Sequence, residues 1–249
     1  MRLTVLGGDG GWPRASSACS GYLVQRDGYA LLVDPGYATA PRLFSVVPAR
    51  DIDAVLVTHG HPDHCADLSP LLRARVFDDH PAPALPIHAP AGAVDAVLAL
   101  DRPRLLHGAV TVTHVEDGGR LRLGPFEIEA TALPHTWPNL GYRITTVGPS
   151  GPSLAYTGDS GPSERRLDLA RDATVLLAEA SYAARVPDDV VGVLSSARDA
   201  GTAATRAGVG RLVLTHLVPD TDPGAALRCA RQLFTGQVDV ARPGFVLDL

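Results

Sequence analysis

The sequence has no lysine: all 22 basic residues are arginine, set against 27 Asp and Glu for a formal charge of −5. A nucleic-acid-binding surface should be basic, so this balance argues against one. Alongside abundant Ala, Gly, Pro and Val, the missing lysine fits a GC-rich coding bias rather than a phosphate-binding design. Cysteine is scarce as well. Cys19, Cys65 and Cys229 are far apart and form no Cys-x-x-Cys pair, which suits a reducing compartment better than a disulfide framework. No apolar run approaches the length needed to span a membrane. The opening Arg2-Leu3-Thr4-Val5-Leu6 reads as a strand rather than a signal peptide. The expectation is a cytoplasmic protein with no membrane partner.

What is present is an ordinary globular balance, 45% apolar and 20% charged. At 249 residues the chain can form one domain, 1–249, with a large core, and no linker divides it. Apolar patterning predicts strands at 2–6, 20–26, 29–34, 53–58, 85–89, 110–115, 120–133 (bent at Gly124-Pro125), 140–147, 153–157, 174–179, 211–215 and 244–248. Helices are predicted at 38–48, 64–74, 91–100, 163–170, 196–207 and 223–234. The Pro-rich stretch 80–86 reads as a loop. Periodicity alone yields only a mixed α/β class.

The most informative segment is Thr58-His59-Gly60-His61-Pro62-Asp63-His64. It follows the apolar run Ala54-Val55-Leu56-Val57, and Gly60 and Pro62 turn the chain there. His59 and His61 are two apart, so extended backbone puts both on one side, able to grip one ion. Asp63 and His64 are adjacent, diverge, and more naturally serve a second ion. Imidazole and carboxylate are ligands for zinc, with iron or manganese as substitutes. Further donors are needed, and nine His limit the choice. His216 ends Leu212-Val213-Leu214-Thr215-His216, echoing Thr58-His59; His135 follows the strand ending at Leu133; Asp159 follows Tyr156-Thr157-Gly158. Each stands at or just past a strand's C-terminal end, where functional groups gather in layered α/β proteins. His80, His88, His107 and His114 read as surface or packing residues. Asp34, before Pro35-Gly36, is either a second hydrogen-bonding layer for the metal loop or a simple turn residue. Cys65 reads as packing on the first helical turn.

These residues resemble the metallo-β-lactamase superfamily. His59-x-His61-x-Asp63-His64 matches its metal motif, and His135, Asp159 and His216 follow in the family's order. The resemblance runs from Met1 to about Pro219. It implies a four-layer αββα sandwich, two mixed sheets with helices on the outer faces, and two Zn2+ ions, with Mn or Fe as substitutes. One ion would sit on His59, His61 and His135 and the other on Asp63, His64 and His216, with Asp159 bridging. Within the superfamily the chain looks most like the ribonuclease Z-like phosphodiesterases. The matching segments are Met1–Gly7, His135-x5-Gly141-Tyr142-Arg143-Ile144, Tyr156–Ser160, Leu177–Ser181 and Val213–His216. There are two departures. Leu194 stands where the tRNA-processing members carry a histidine, and only residues 136–158 lie between His135 and Asp159, where those enzymes insert a tRNA-gripping arm.

The resemblance implies hydrolysis by a metal-bound hydroxide held between ions about 3.5–4 Å apart. Asp63 would hold a metal and orient that nucleophile. Glu179 would move protons or stand behind the ligands; alternatively it is an end-of-strand Glu bound to a helix or loop. The glycine-rich Gly7–Pro13 loop lacks the Gly-Lys-Ser/Thr of a P-loop and reads as a lip carrying Trp12. Trp137 lies two residues past His135 and would form another wall, so both tryptophans are candidate substrate contacts. The leading expectation is a phosphodiesterase on a small molecule, cyclic nucleotides included. Lactone, ester or thioester hydrolysis is the alternative, and a non-hydrolytic, metal-bound ligand-binding protein is a third. Nucleic acid is an unlikely partner, and a homodimer is what the family suggests.

Overall fold

Each half of the chain builds one sheet. The computed structural model describes residues 1–80, 82–102, 104–148 and 151–249. In the first sheet β1 (Arg2–Gly7), β2 (Gly21–Arg26) and β3 (Tyr29–Val33) run antiparallel, and β4 (Ala54–Leu56), β5 (Leu85–Ala89) and β6 (Val110–His114) extend it in parallel. The second sheet repeats this logic. There β7 (Arg120–Leu123), β8 (Phe126–Leu133), β9 (Asn139–Thr146) and β10 (Ser153–Tyr156) are antiparallel, and β11 (Val175–Glu179), β12 (Arg211–Thr215) and β13 (Gln237–Val240) continue in parallel. The last strand, β14 (Val246–Asp248), returns to pair with β1, giving seven strands in each sheet among the described residues.

The helices are α1 (Ala40–Phe44), α2 (Pro62–Cys65), α3 (Leu68–Val76), α4 (Asp95–Leu98), α5 (Glu164–Ala170), α6 (Ala197–Arg206) and α7 (Pro223–Arg231). Leu3, Val24, Leu31, Leu56, Ile128, Ile144 and Leu177 share the apolar layer between the sheets. Leu43, Leu71, Leu72 and Val97 seat α1, α3 and α4 on the outside of the first sheet. Leu169, Ala200, Ala204, Ala226 and Ala230 do the same for α5, α6 and α7 on the second. This is the αββα sandwich that the motif resemblance implies and that periodicity alone does not reach. Among the described residues no helix is long and apolar enough to cross a membrane.

Several predicted boundaries are corrected. Helix 38–48 shortens to α1, followed by a turn and a 3-10 segment at Ala49–Asp51. Helix 64–74 divides into α2 and α3. Asp67 breaks it, because its N–H donates to the Pro35 carbonyl and its carboxylate accepts from the Ala40 N–H at 2.7 Å. Helix 91–100 contracts to α4, after a turn at Gly92 (φ +79). The bend at 124–125 is a full hairpin turn between β7 and β8. Strand β13 was not predicted, since its four residues alternate with polar Gln237 and Asp239 and carry little apolar signal. Of the Pro-rich loop 80–86, Pro81 lies outside the described residues.

Three tyrosines lock the sheets together beneath the strand ends. Tyr142 on β9 donates to the Val57 carbonyl at 2.9 Å, and Tyr156 on β10 donates to Asp34 Oδ2 at 2.8 Å. Tyr22 on β2 meets Thr215 Oγ1 on β12 at 2.6 Å. All three rings are buried, so each hydroxyl needs the partner it finds. Val57, Asp34 and Thr215 each adjoin a turn that carries a candidate ligand or its support.

Candidate metal centre

The seven candidate side chains all leave strand ends on one edge of the sandwich. Val57-Thr58-His59-Gly60-His61 runs on from β4. His61 is extended (φ −67°, ψ 139°) at the N-cap of α2, whose first turn carries Asp63 and His64. His135 follows β8 by way of Pro134. Asp159 follows β10 through Gly158, where φ is +54° and a Cβ would lie 2.4 Å from Asn139 Oδ1 and 2.9 Å from Thr58 Cβ. Glycine is therefore required at that turn. His216, the residue after β12, has φ +57°, and Asp34, the residue after β3, has φ +48°. A left-handed non-glycine backbone costs roughly 1–2 kcal/mol, and strain of that kind clusters at functional sites.

The side chains converge in two groups that share Asp159. One contains His59, His61, His135 and Asp159, the other Asp63, His64, Asp159 and His216, with the donor atoms of each group within 4.8 Å of one another. In the first group His61 Nδ1 lies 3.0 Å from His59 Nε2 and 3.1 Å from His135 Nε2. Asp159 Oδ2 stands 3.8 Å from both of those Nε2 atoms. In the second, Asp159 Oδ1 lies 3.2 Å from His64 Nε2 and Oδ2 lies 3.1 Å from His216 Nε2. Asp63 Oδ2 is 3.2 Å from His216 Nε2 and 3.7 Å from His64 Nε2. Donors held about 2.0–2.1 Å from a tetrahedral ion sit about 3.3 Å from one another, and these spacings bracket that value.

The outer hydrogen bonds aim the imidazoles. Asp34 accepts from the Thr58 N–H (2.7 Å), Thr58 Oγ1 (2.7 Å), Tyr156 (2.8 Å) and His64 Nδ1 (2.8 Å). It is thus a buried anchor of the metal loop and more than a turn residue. Thr58 Oγ1 donates to Asp34 and so accepts from His59 Nδ1, at 3.0 Å. His135 Nδ1 donates to the Val193 carbonyl at 3.0 Å. Ser181 Oγ donates to Glu179 Oε1 at 2.7 Å and accepts from His216 Nδ1 at 3.0 Å. In four imidazoles Nδ1 is thereby committed as donor and Nε2 turns inward, the arrangement that prepares histidine for a metal. His64 Nε2 and Asp159 Oδ1 are buried and face each other at 3.2 Å, yet neither makes an aligned hydrogen bond among the described residues, so a cation between the donors would satisfy both. The donor set therefore fits a divalent metal site. Asp34→Asn should weaken metal binding about 10–100-fold, measured by chelator competition; unchanged affinity would contradict Asp34 as the anchor.

Charge is distributed to match. Burial holds His59 and His61 below their ordinary value, keeping them neutral. For His64 and His216 burial also opposes the charge, but Asp159 and Asp63 outweigh it, raising His64 well above the usual range and His216 to about 9. Metal uptake must displace those protons. Stability from such raised groups is complete below about 6.5, their unfolded value, and is lost as pH rises through the folded one. Metal-stripped protein is thus expected to lose melting temperature between pH 6.5 and about 9, and calorimetric metal titrations to release protons. A binding enthalpy independent of the buffer would contradict this.

The remaining candidates sit farther out. Trp137 is 46% exposed and its ring lies 6.0 Å from that of His61. With His135, Asn139, Val115, Leu140 and Pro90 it lines a cavity of about 560 Å³. Trp12 is 57% exposed on its loop. The loop's backbone reaches the centre directly, because the Gly11 N–H donates to Asp63 Oδ2 at 2.7 Å. Glu179 is fully buried behind Ser181; burial and the nearby Asp159 charge push its carboxyl up to about 7. Leu194 is half-buried. His80, His107 and His114 are exposed and His88 is buried in β5, and none joins either group. Cys65 is buried with its thiol 3.4 Å from the His61 carbonyl. Sequence reasoning missed Ser181 and Gly11, because a serine two residues past a strand and a loop amide carry no chemical signature.

Two His/Asp groups on the strand-end edge of an αββα sandwich define the metallo-β-lactamase class. A family model described as the beta-lactamase superfamily domain matches residues 29–217. The chain belongs to that superfamily, as one of its metallo-hydrolases. It is 33% identical over 251 residues to the probable metallo-hydrolase YhfI of Bacillus subtilis, covering 100% of both chains. The crystal structure of YhfI superposes with a TM-score of 0.89 at 32% identity, covering 99% of each chain. A ribonuclease Z of Kineococcus radiotolerans is 32% identical over 275 residues, 90% of this chain and 86% of that one. The short form of human tRNase Z, at 21% identity and a TM-score of 0.77 over 100% of this chain and 99% of its own, shares the fold.

Proposed function

We propose that this single domain, 1–249, is a binuclear metal-dependent phosphodiesterase acting on a small molecule. The carrying observation is that two donor groups share Asp159 while four imidazoles present Nε2 inward. In this reading His59, His61 and His135 hold one Zn2+, and Asp63, His64 and His216 hold the other, with Asp159 between them. Such a pair supplies Lewis-acid activation of both the attacking water and the phosphoryl group. Asp63, fixed by the Gly11 N–H, would orient the attacking water. The Trp137 cavity takes the non-reacting part of the substrate.

Phosphodiesters are favoured because the ribonuclease Z of Kineococcus, a phosphodiester-cleaving type of enzyme by its name, matches most of the chain. A small substrate is favoured over tRNA by three features. The charge is −5, the described residues between His135 and Asp159 hold β9 and β10 with their turns and no further strand or helix, and Leu194 offers no proton to a poor leaving group. The test is turnover of bis(p-nitrophenyl) phosphate, cyclic nucleotides and a lactone panel by Zn-, Mn- and Fe-loaded protein. Phosphodiester cleavage is expected. Turnover of lactones alone would transfer the site to acyl chemistry, and no turnover with any loaded metal would favour a ligand-binding protein.

A further inference from the structure

Behind the metal groups, Glu179 ends β11 with 0% exposure. Its Oε2 accepts from the Ser160 N–H at 2.5 Å. Its Oε1 accepts from Ser181 Oγ at 2.7 Å and from the Ser195 N–H at 3.0 Å. Each donor leads to a different member of the centre. Ser160 follows Asp159 in the chain. Ser181 Oγ accepts from His216 Nδ1 at 3.0 Å. Ser195 stands two residues past Val193, whose carbonyl accepts from His135 Nδ1 at 3.0 Å. The fully buried Arg166 closes the far side by donating to Ser195 Oγ, which in turn donates to the Ser160 carbonyl at 2.6 Å.

We infer that Glu179 is a positioning residue: one carboxylate that fixes Asp159, His135 and His216 together, and so sets the spacing of both donor groups. The inference rests on those groups holding metal as proposed above. Three elements of the second sheet's edge, the turns after β10 and β11 and the segment before α6, end on its two oxygens. Only a carboxylate satisfies all three donors, since it accepts at both atoms. A glutamine would turn its NH2 toward either the Ser160 N–H or the Ser195 N–H, leaving a buried donor unpaired. Proton transfer to substrate does not suit this carboxyl. It has no exposed surface, three of its four lone-pair positions accept from protein donors, and Leu194, next to Ser195 in the chain, has no ionisable group.

The test compares wild type, Glu179→Gln and Ser181→Ala as full-length, zinc-loaded proteins, by chelator competition, metal analysis and the pH profile of turnover, with circular dichroism to confirm folding. Ser181→Ala is expected to weaken the ion of the Asp63–His64–His216 group about 10–100-fold and to leave the other ion tightly held. Glu179→Gln is expected to weaken both, to regain turnover at excess zinc, and to keep both limbs of the pH profile. Wild-type affinity for both ions in Glu179→Gln, with one limb of the profile lost, would overturn the inference in favour of proton transfer. If Glu179→Gln does not fold, Ser181→Ala decides alone, and unchanged binding of both ions overturns it. Wild-type protein that binds no divalent ion overturns the proposed function and this inference together, whereas tight wild-type binding undiminished in both variants overturns the inference only.

Discussion

Asp159→Ala is expected to lower turnover at least about 1,000-fold, equivalent to about 4 kcal/mol of barrier, and to empty both donor groups at once. Asp159 is the only side chain common to the two groups, and its oxygens lie 3.1–3.8 Å from four imidazole nitrogens. Removing any histidine costs one group a neutral donor. Removing Asp159 costs both groups their shared anion: the His59–His61–His135 set is left with no carboxylate, and the His64–His216 set keeps only that of Asp63. Metal analysis alongside turnover checks this. A variant that keeps one tightly bound ion would show that the two groups do not depend on Asp159 together.

Gly36→Ala is expected to have the largest effect on folding. Gly36 packs against the backbone of the metal loop: a Cβ there would lie 1.8 Å from the Asp63 carbonyl oxygen, 2.5 Å from its carbon and 2.8 Å from the Ser20 carbonyl oxygen. All three atoms are backbone, so no side-chain rotation relieves the clash. The Gly36 N–H is also committed, to Ser20 O at 2.9 Å and Asp34 O at 2.8 Å, so the turn cannot simply swing away. A loss of about 3 kcal/mol or more follows, or roughly 6–12 °C in melting temperature for a chain of this size. Asp63 is displaced in the same movement, so zinc affinity falls too. Gly28→Ala is the contrast, because nothing lies within 4 Å of a Cβ there. Only its left-handed backbone (φ +83°) opposes the change, at roughly 1–2 kcal/mol. Equal melting of Gly36→Ala and wild type would contradict the packing described.

The convergence of the seven side chains was legible because ligand chemistry is local. His59 to His64 fall within one turn, and His135, Asp159 and His216 each follow an apolar strand in the sequence. The sandwich was legible only through the family's motif, since alternation marks strands without saying which sheet they join. What escaped the sequence was set by long-range contacts. Asp67 breaks a helix because its carboxylate reaches Ala40, and β13 is a strand because β12 lies beside it. Asp34 could be read two ways until its four donors, drawn from Thr58, His64 and Tyr156, came together. Glu179 likewise carries no sign in the sequence of the three serines it gathers.

The most direct measurement is turnover as a function of metal bound, starting from chelator-stripped protein and adding zinc in steps with the metal counted at each point. Activity is expected to be absent at zero zinc, to rise with loading, and to reach its plateau at about two ions per chain, the number two donor groups would hold. Full hydrolytic activity in metal-stripped protein would contradict a metal-centred mechanism outright.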